Sequence, residues 1–312
     1  MRRTGYCITI LLTVVIFLPI VGALNAADFS GTEANNCENL PCSNAGEEVF
    51  ELNSKPINMW KTPENNYLIL GEDGLLSLYD LKTSGFELIW DLEVNSIGEI
   101  FCSAYIPEYN LLAFGNETGT QIVDVGDARE KLVFIPSTVS IVDLAWDPNE
   151  GEYETIIDNG VSKDVYRPHI WIALEESKRA VQYDITVELP TTLQTYEHTT
   201  EIGAVHLLSN GLIITSGENE IFVHEINDVN QVIKTEEENP IIPGNLNIIL
   251  TNNDESKVFF AEENGQKIVS FDSDVWSAST TNNQGSNPIN LGFEQIKSSL
   301  ISLDGTIIIG TG

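Results

Sequence analysis

Tyr67–Leu81 reads Tyr-Leu-Ile-Leu-Gly-Glu-Asp-Gly-Leu-Leu-Ser-Leu-Tyr-Asp-Leu. A short apolar strand runs into a Gly/acidic turn, and a second strand ends in an aromatic–Asp pair. The phrase returns as Leu111–Val125 (LLAFGNETGTQIVDV), Ile170–Ile185, Leu212–Ile226 and Val258–Asp272, with a cut-off copy at Thr306–Gly312. The acids that mark its phase, Asp80, Asp124, Asp184, Glu225 and Asp272, are spaced 44, 60, 41 and 47 residues apart. Repeats of this period are built from supersecondary units that bury little alone and stack on their neighbours.

Each unit holds four strand candidates. The first shows Ile57–Lys61, Tyr67–Leu70, Leu75–Asp80 and Phe86–Leu92. The second shows Glu99–Tyr105, Leu111–Phe114, Thr120–Val125 and Lys131–Ile135. All are short, rich in β-branched and aromatic residues, and bounded by Gly, Asn, Asp or Pro. Helical periodicity is not sustained anywhere for three turns. The 60-residue spacing has a visible cause in Asn149–Pro168, a polar, acidic insertion between the first and second strands of the third unit. Insertions of this kind are expected as loops. A second long loop, exposed and mobile, is expected over Ser277–Pro288, which is rich in Ser, Thr, Asn and Gly. The expected fold class is all-β: a β-propeller of four-stranded antiparallel blades, about six of them visible, the last incomplete, in a ring of six to eight. An open sandwich can use short strands too, but has no need of the recurring phrase.

At this point the chain resembles the WD40/YVTN-like propeller repeats, in a divergent form, over roughly Ile57 to Gly312. Ile141–Pro148 (IVDLAWDP) resembles the innermost strand and turn of such a blade. Tyr79-Asp80, Tyr183-Asp184 and Phe271-Asp272 fall where a Trp-Asp pair ends the third strand. Two departures stand out. No Gly-His pair precedes a blade, and the true Trp-Asp dipeptides, Trp90-Asp91 and Trp146-Asp147, fall on other strands. Asp80–Trp90 is also similar to the docking phrase of quinoprotein blades, in this one unit only.

The flanks set the expected domain organisation. Arg2 and Arg3, the apolar run Ile8–Val21 and the small residues around Ala23 and Ala26 match a secretory signal peptide over 1–26. An uncleaved N-terminal anchor is the alternative, and would be the one membrane contact; the run is short of the roughly 20 residues a span needs. A flexible segment follows over 27–46, then the repeat domain over 47–312. The last copy stops after two strands, so a chain truncated at its C-terminus is expected; Glu47–Asn53 pairing with that copy to close the ring is the other solution.

Lys+Arg total 15 against 47 Asp+Glu, a net charge of −32. Without the signal, 13 basic residues face 47 acidic ones, or −34. Such a surface repels nucleic acid and anionic membranes. It suits a saline setting or contact with divalent cations. Of the four cysteines, Cys7 lies in the signal. Cys37 and Cys42 can close a small disulfide loop in an oxidising compartment or remain ordinary thiols. Cys102, in an apolar strand pattern, reads as a small buried hydrophobe.

Signatures of catalysis are missing: no Gly-x-Ser-x-Gly, P-loop, HExxH or GxGxxG before a helix. His169, His198, His206 and His224 are spaced without a shared face for zinc, so they read as satisfied or solvent-facing. Asn252-Asn-Asp254 and Asp272-Ser-Asp274 offer oxygens to Ca²⁺ but lack the order of a dedicated loop. Glu236-Glu237-Glu238 reads as a solvated turn. Asn116-Glu-Thr118 fits a glycosylation acceptor. The phase-marking acids, Asp80, Asp124, Asp184, Glu225 and Asp272, are expected to cap turns by accepting backbone N–H bonds. No catalytic, cofactor or metal residue is assigned. The expected function is that of an exported acidic module or scaffold that binds a protein, glycan or other cell-surface component. The alternative is an exported enzyme on the same scaffold, a metal-dependent hydrolase or a quinone-dependent dehydrogenase.

Overall fold

The computed structural model describes residues 56–312 apart from 83–84, 95–97, 127–129, 159, 187–189, 219, 226–230, 235–244, 253, 263–264, 266, 274–288, 291–295, 302–306 and 312. The expected signal over 1–26, Cys37 and Cys42, Glu47–Asn53, Glu236–Glu238 and Ser277–Pro288 lie outside the described residues.

Among the described residues, twenty-two strands run in chain order. The first sheet holds β1 (Pro56–Lys61), β2 (Tyr67–Gly71), β3 (Leu75–Lys82) and β4 (Gly85–Glu93). The second holds β5 (Cys102–Ile106), β6 (Leu111–Gly115), β7 (Gly119–Asp124) and β8 (Glu130–Pro136). The third holds β9 (Ile141–Asp158), β10 (Val161–Leu174), β11 (Arg179–Asp184) and β12 (Thr191–Glu197). The fourth holds β13 (Ile202–Leu207), β14 (Leu212–Gly217), β15 (Glu220–Glu225) and β16 (Gln231–Lys234). The fifth holds β17 (Ile248–Thr251), β18 (Lys257–Ala261), β19 (Lys267–Asp272) and β20 (Ile289–Asn290). β21 (Ile296–Ile301) and β22 (Ile307–Thr311) form a two-stranded sheet. Within each sheet the strands pair antiparallel in chain order. A 3₁₀ turn lies at Pro107–Tyr109.

The second strands explain the recurring apolar run. In β6, Leu112 and Phe114 face the first sheet, packing with Leu68, Leu70, Leu76 and Trp90, while Leu111 and Ala113 face the third, packing with Ile141, Ile170 and Ile172. In β10, Ile170 and Ile172 face the second sheet, whereas Trp171 and Ala173 face the fourth. In β14, Ile213 faces the third sheet and Leu212 and Ile214 the fifth. A strand covered on both faces reads as a continuous apolar stretch rather than an alternation. Each large aliphatic or aromatic side chain so buried contributes about 1.5–3 kcal/mol relative to exposure.

First strands lie against first strands from one sheet to the next. Asn58 Nδ2 in β1 donates to Ser103 Oγ in β5 at 3.1 Å. Trp146 Nε1 in β9 donates to the Ala104 carbonyl in β5 at 3.0 Å. The Val205 N–H in β13 donates to Asp143 Oδ2 in β9 at 2.9 Å. Successive sheets therefore fan out from a row of adjacent inner strands.

Candidate interaction surface

Antiparallel order puts the turns after first and third strands at one end of the sheets, and the other turns at the opposite end. The insertion lies at the first of these ends. It joins the first and second strands of the third unit, but it is not a loop. β9 and β10 continue past their neighbours as a two-stranded ribbon, paired from Gly151↔Pro168 to Asp158↔Val161. The reason lies in the sequence. Gly-Glu-Tyr-Glu-Thr-Ile-Ile-Asp alternates Tyr153, Thr155 and Ile157 with Glu152 and Glu154, and Asn159-Gly160 is a hairpin dipeptide. Gly160 has φ +80, as such a turn requires.

The ribbon is rooted on two sheets. Arg167, 4% exposed, donates Nε to Glu154 Oε2 at 2.9 Å, and its Nη1 lies 3.4 Å from Asp124 Oδ2 in the second sheet. Tyr166 packs between Tyr153 and Tyr109, with ring centroids 5.3 and 5.2 Å apart. At the root the strands cross tightly. A Cβ on Gly151 would press on the Arg167 carbonyl and lie 2.8 Å from Pro168 Cα. Below the root, Asp147 is wholly buried and accepts the Asn149 and Glu150 N–H groups and Gln182 Nε2, each at 3.2 Å. Burial pushes its carboxyl above the ordinary range, against the pull of the Asn149 N–H. His169 is buried inside β10, with Nδ1 4.0 Å from Glu150 Oε2. Further out, Tyr153 is 73% and Ile157 80% exposed, the two most exposed large hydrophobic residues among those described.

The phase-marking acids are spread along this same end. Asp124 Oδ1 accepts the Gly126 N–H at 2.9 Å, which leaves Oδ2 for Arg167. Asp184 Oδ1 accepts the Thr186 N–H at 2.8 Å and its hydroxyl at 2.7 Å. Asp272 pairs with Lys257 at 2.9 Å. Asp80 lies inside β3, two residues short of its end, and Glu225 ends β15. The Ca²⁺ candidates lead elsewhere: Asp254 Oδ1 accepts the Ser256 N–H and hydroxyl and an Asn252 amide N–H, while Asn252 Oδ1 accepts the Lys257 N–H. Asp274 lies outside the described residues. Among the described residues no three His, Cys, Asp or Glu side chains are grouped to hold a metal ion. Cys102 is a free, half-buried thiol whose Sγ lies 3.6 Å from the Ile141 carbonyl.

Asn116 is 1% exposed, and its Oδ1 accepts the Thr118 N–H at 2.7 Å and hydroxyl at 2.8 Å. The apparent glycosylation acceptor is thus a turn device closed to a glycosylating enzyme.

Between the third and fourth sheets lies a polar network that sequence spacing did not assemble. Thr215 Oγ1 lies 2.6 Å from His198 Nε2 and 3.1 Å from His224 Nε2. Glu220 accepts hydrogen bonds from the N–H and hydroxyl groups of Thr199 and Thr200. Burial alone would raise the Glu220 carboxyl, but those donors bring it below its ordinary value. Tyr196 stacks on His224 (3.9 Å, 12°) and on Trp171 (5.2 Å, 8°). Burial first, then the neighbouring His224, lowers the His198 imidazole to about 4, so it is neutral at pH 7. A hydroxyl between two imidazoles is a nucleophile's arrangement. Thr215 and His224 are wholly enclosed, however, and the network instead ties β12 and the turn after it to β14 and β15.

The order of these sheets, first strand inward and four strands to a unit, matches a solved structure. The β-propeller domain of Cps50 (Swd1) from Myceliophteria thermophila superposes with a TM-score of 0.62 over 85% of this chain and 82% of that one, at 12% identity. The fold is a β-propeller. No family model and no curated protein matches the chain. The five four-stranded sheets are blades, β21–β22 belong to a sixth, and the two Trp-Asp dipeptides fall on an outermost strand (β4) and an innermost one (β9).

Proposed function

We propose that the chain is an exported, acidic propeller that works as a protein-binding scaffold at or outside the cell surface. A propeller fits an interaction or scaffold module in general. The observation that carries the reading is the ribbon: among the described residues one blade alone extends a paired arm beyond its neighbours, and that arm carries the two most exposed large hydrophobic side chains, Tyr153 and Ile157. Exposed apolar residues held on a firm root are the usual anchors of a protein interface. Export follows from the signal-like pattern of residues 1–26, and the excess of acid is compatible with a saline exterior.

The test has two parts. Tagged protein is fractionated, and the external form is expected to begin near Ala23 or Ala26. A photo-reactive amino acid is then placed, one site at a time, at exposed positions around both ends of the ring. A discrete cross-linked protein from the external fraction is expected at a contiguous group of sites. Retention of the chain inside the cell would sink the export half, and an absence of cross-links at every site would sink the binding half.

A further inference from the structure

We infer that the outer edge of the ribbon, Gly151–Asp158 of β9, takes an extended segment of a partner protein as an added strand, one that alternates apolar with Lys or Arg residues. This rests on the interaction-module reading above and names its surface and the chemistry of its partner.

Three features of the ribbon carry the inference. First, β9 is the last strand of its sheet, and among the described residues its one strand neighbour over Gly151–Asp158 is β10. An open edge of this kind presents a row of backbone donors and acceptors, the template for strand addition. Second, the two faces of that edge differ in chemistry. Side chains alternate along a strand. Tyr153, Thr155 and Ile157 therefore share one face, where Thr155 Oγ1 donates to Asp164 Oδ1 at 2.7 Å. Glu152, Glu154 and Ile156 lie on the other, where Glu154 already holds Arg167 and Glu152 has no cation paired to it among the described ion pairs. An added strand would set its apolar side chains beside Tyr153 and Ile157 and a cationic one beside Glu152. Period two on the ribbon selects period two in the partner. Third, charge decides its sign. Glu64, Glu108 and Asp254, in turns after first strands, and Asp184, at the end of a third strand, lie at the same end of the sheets. The Tyr105 phenol is pushed up to about 12, by burial first and then by Glu64 and Glu108. A second copy of this chain, itself at −32, meets repulsion there, and an acidic or neutral segment gains nothing. A basic segment gains steering from these acids and a cross-strand partner in Glu152.

The probes are fluorescent octapeptides: alternating Lys-Val, alternating Glu-Val and oligolysine, titrated by anisotropy at 0.15 M NaCl against the full chain. Lys-Val is expected to bind at least tenfold more tightly than oligolysine, and Glu-Val not to bind. Tyr153→Ser with Ile157→Ser, both at exposed positions, is expected to weaken Lys-Val at least tenfold with an unchanged circular dichroism spectrum; Ile157→Ser alone, which keeps the Tyr153–Tyr166 contact, is expected to fall between. Amide exchange over 152–158 is expected to slow when Lys-Val is bound. Equal binding of Lys-Val and oligolysine, indifference to the double substitution, protection elsewhere on the ring, or no binding at all overturns the inference. Cross-links to a protein from sites away from the ribbon, combined with any of those results, would leave the interaction module standing and remove the ribbon from it.

Discussion

Asp143→Asn is expected to raise stability, and by more as the pH rises. Asp143 sits on the innermost strand of the third blade, where Oδ2 accepts the Val205 N–H and Oδ1 the Leu144 N–H, each at 2.9 Å. The residue keeps some surface, but its carboxyl is enclosed, and burial outweighs both hydrogen bonds to raise it from 3.8 to about 7. A folded-state value above the unfolded one means the unfolded chain gives up the proton first. The folded state therefore suffers no penalty below about pH 4, an increasing one between 3.8 and 7, and the full one above 7. At 1.36 kcal/mol per unit the full penalty is about 4 kcal/mol, an upper figure because the residue is not wholly enclosed. Roughly half of that, about 2 kcal/mol, accrues between pH 5.5 and 8.5. Asparagine carries no charge to desolvate but offers one acceptor fewer, a fixed cost of about 1–3 kcal/mol. The decisive quantity is thus the slope. Urea unfolding of both proteins at pH 5.5, 7 and 8.5 is expected to show the variant gaining about 2 kcal/mol on the parent across the series. A difference that stays flat with pH, or one that shrinks, would refute the reasoning, since it would mean the carboxylate is already charged and well paired at pH 5.5.

The His198 imidazole works in the opposite direction: its folded value, about 4, is below the ordinary 6.5, so its contribution is whole above pH 6.5 and is lost as the pH falls toward 4. His198→Gln is expected to lower stability at pH 7 and to flatten the acid limb of a stability-versus-pH curve read by urea unfolding. Arg167→Ala strips the guanidinium from Asp124 and Glu154 and is expected to cost about 1–3 kcal/mol, with faster amide exchange over the ribbon; Arg167→Lys, which loses the two-sided fork, is expected to recover only part. Asn116→Ala removes the acceptor for two groups of Thr118 and is expected to cost about 1–3 kcal/mol in thermal or urea melts, while wild-type chain made in a glycosylating host is expected to show no added mass at Asn116. Gly151→Ala is expected to loosen the ribbon at its root, seen as faster proteolysis within 151–168 and an unchanged core.

Much of the architecture was legible from Tyr67–Leu81 alone, because a strand buried on both faces and followed by a Gly/acidic turn leaves a local signature that survives repetition. Strand bounds moved by a residue or two at most places; β5 starts at Cys102 rather than Glu99. The ribbon was hidden by its polarity. Its strands face water on both sides, so they carry no apolar run, and Asn159-Gly160 was the one sign of a hairpin in an otherwise charged stretch. The His198–Thr215–His224 network was hidden for another reason: its members come from different strands, and only the packing of the fourth blade brings them together. Arg167 left no trace at all. Its partner Asp124 was visible as a turn acid, but nothing local reveals that a carboxylate with two oxygens serves two masters.

That double service gives the arm a mechanical character. The ribbon grows out of the third blade, yet its bearing is fixed by Asp124 and Tyr109 of the second. Eight residues of strand make a pointer about 26 Å long. A hinge of 5° between the two blades would sweep its tip through about 2 Å, so small settling within the ring is amplified where a partner would feel it. Whatever grips the tip can, by the same leverage, press back on the seam between two blades.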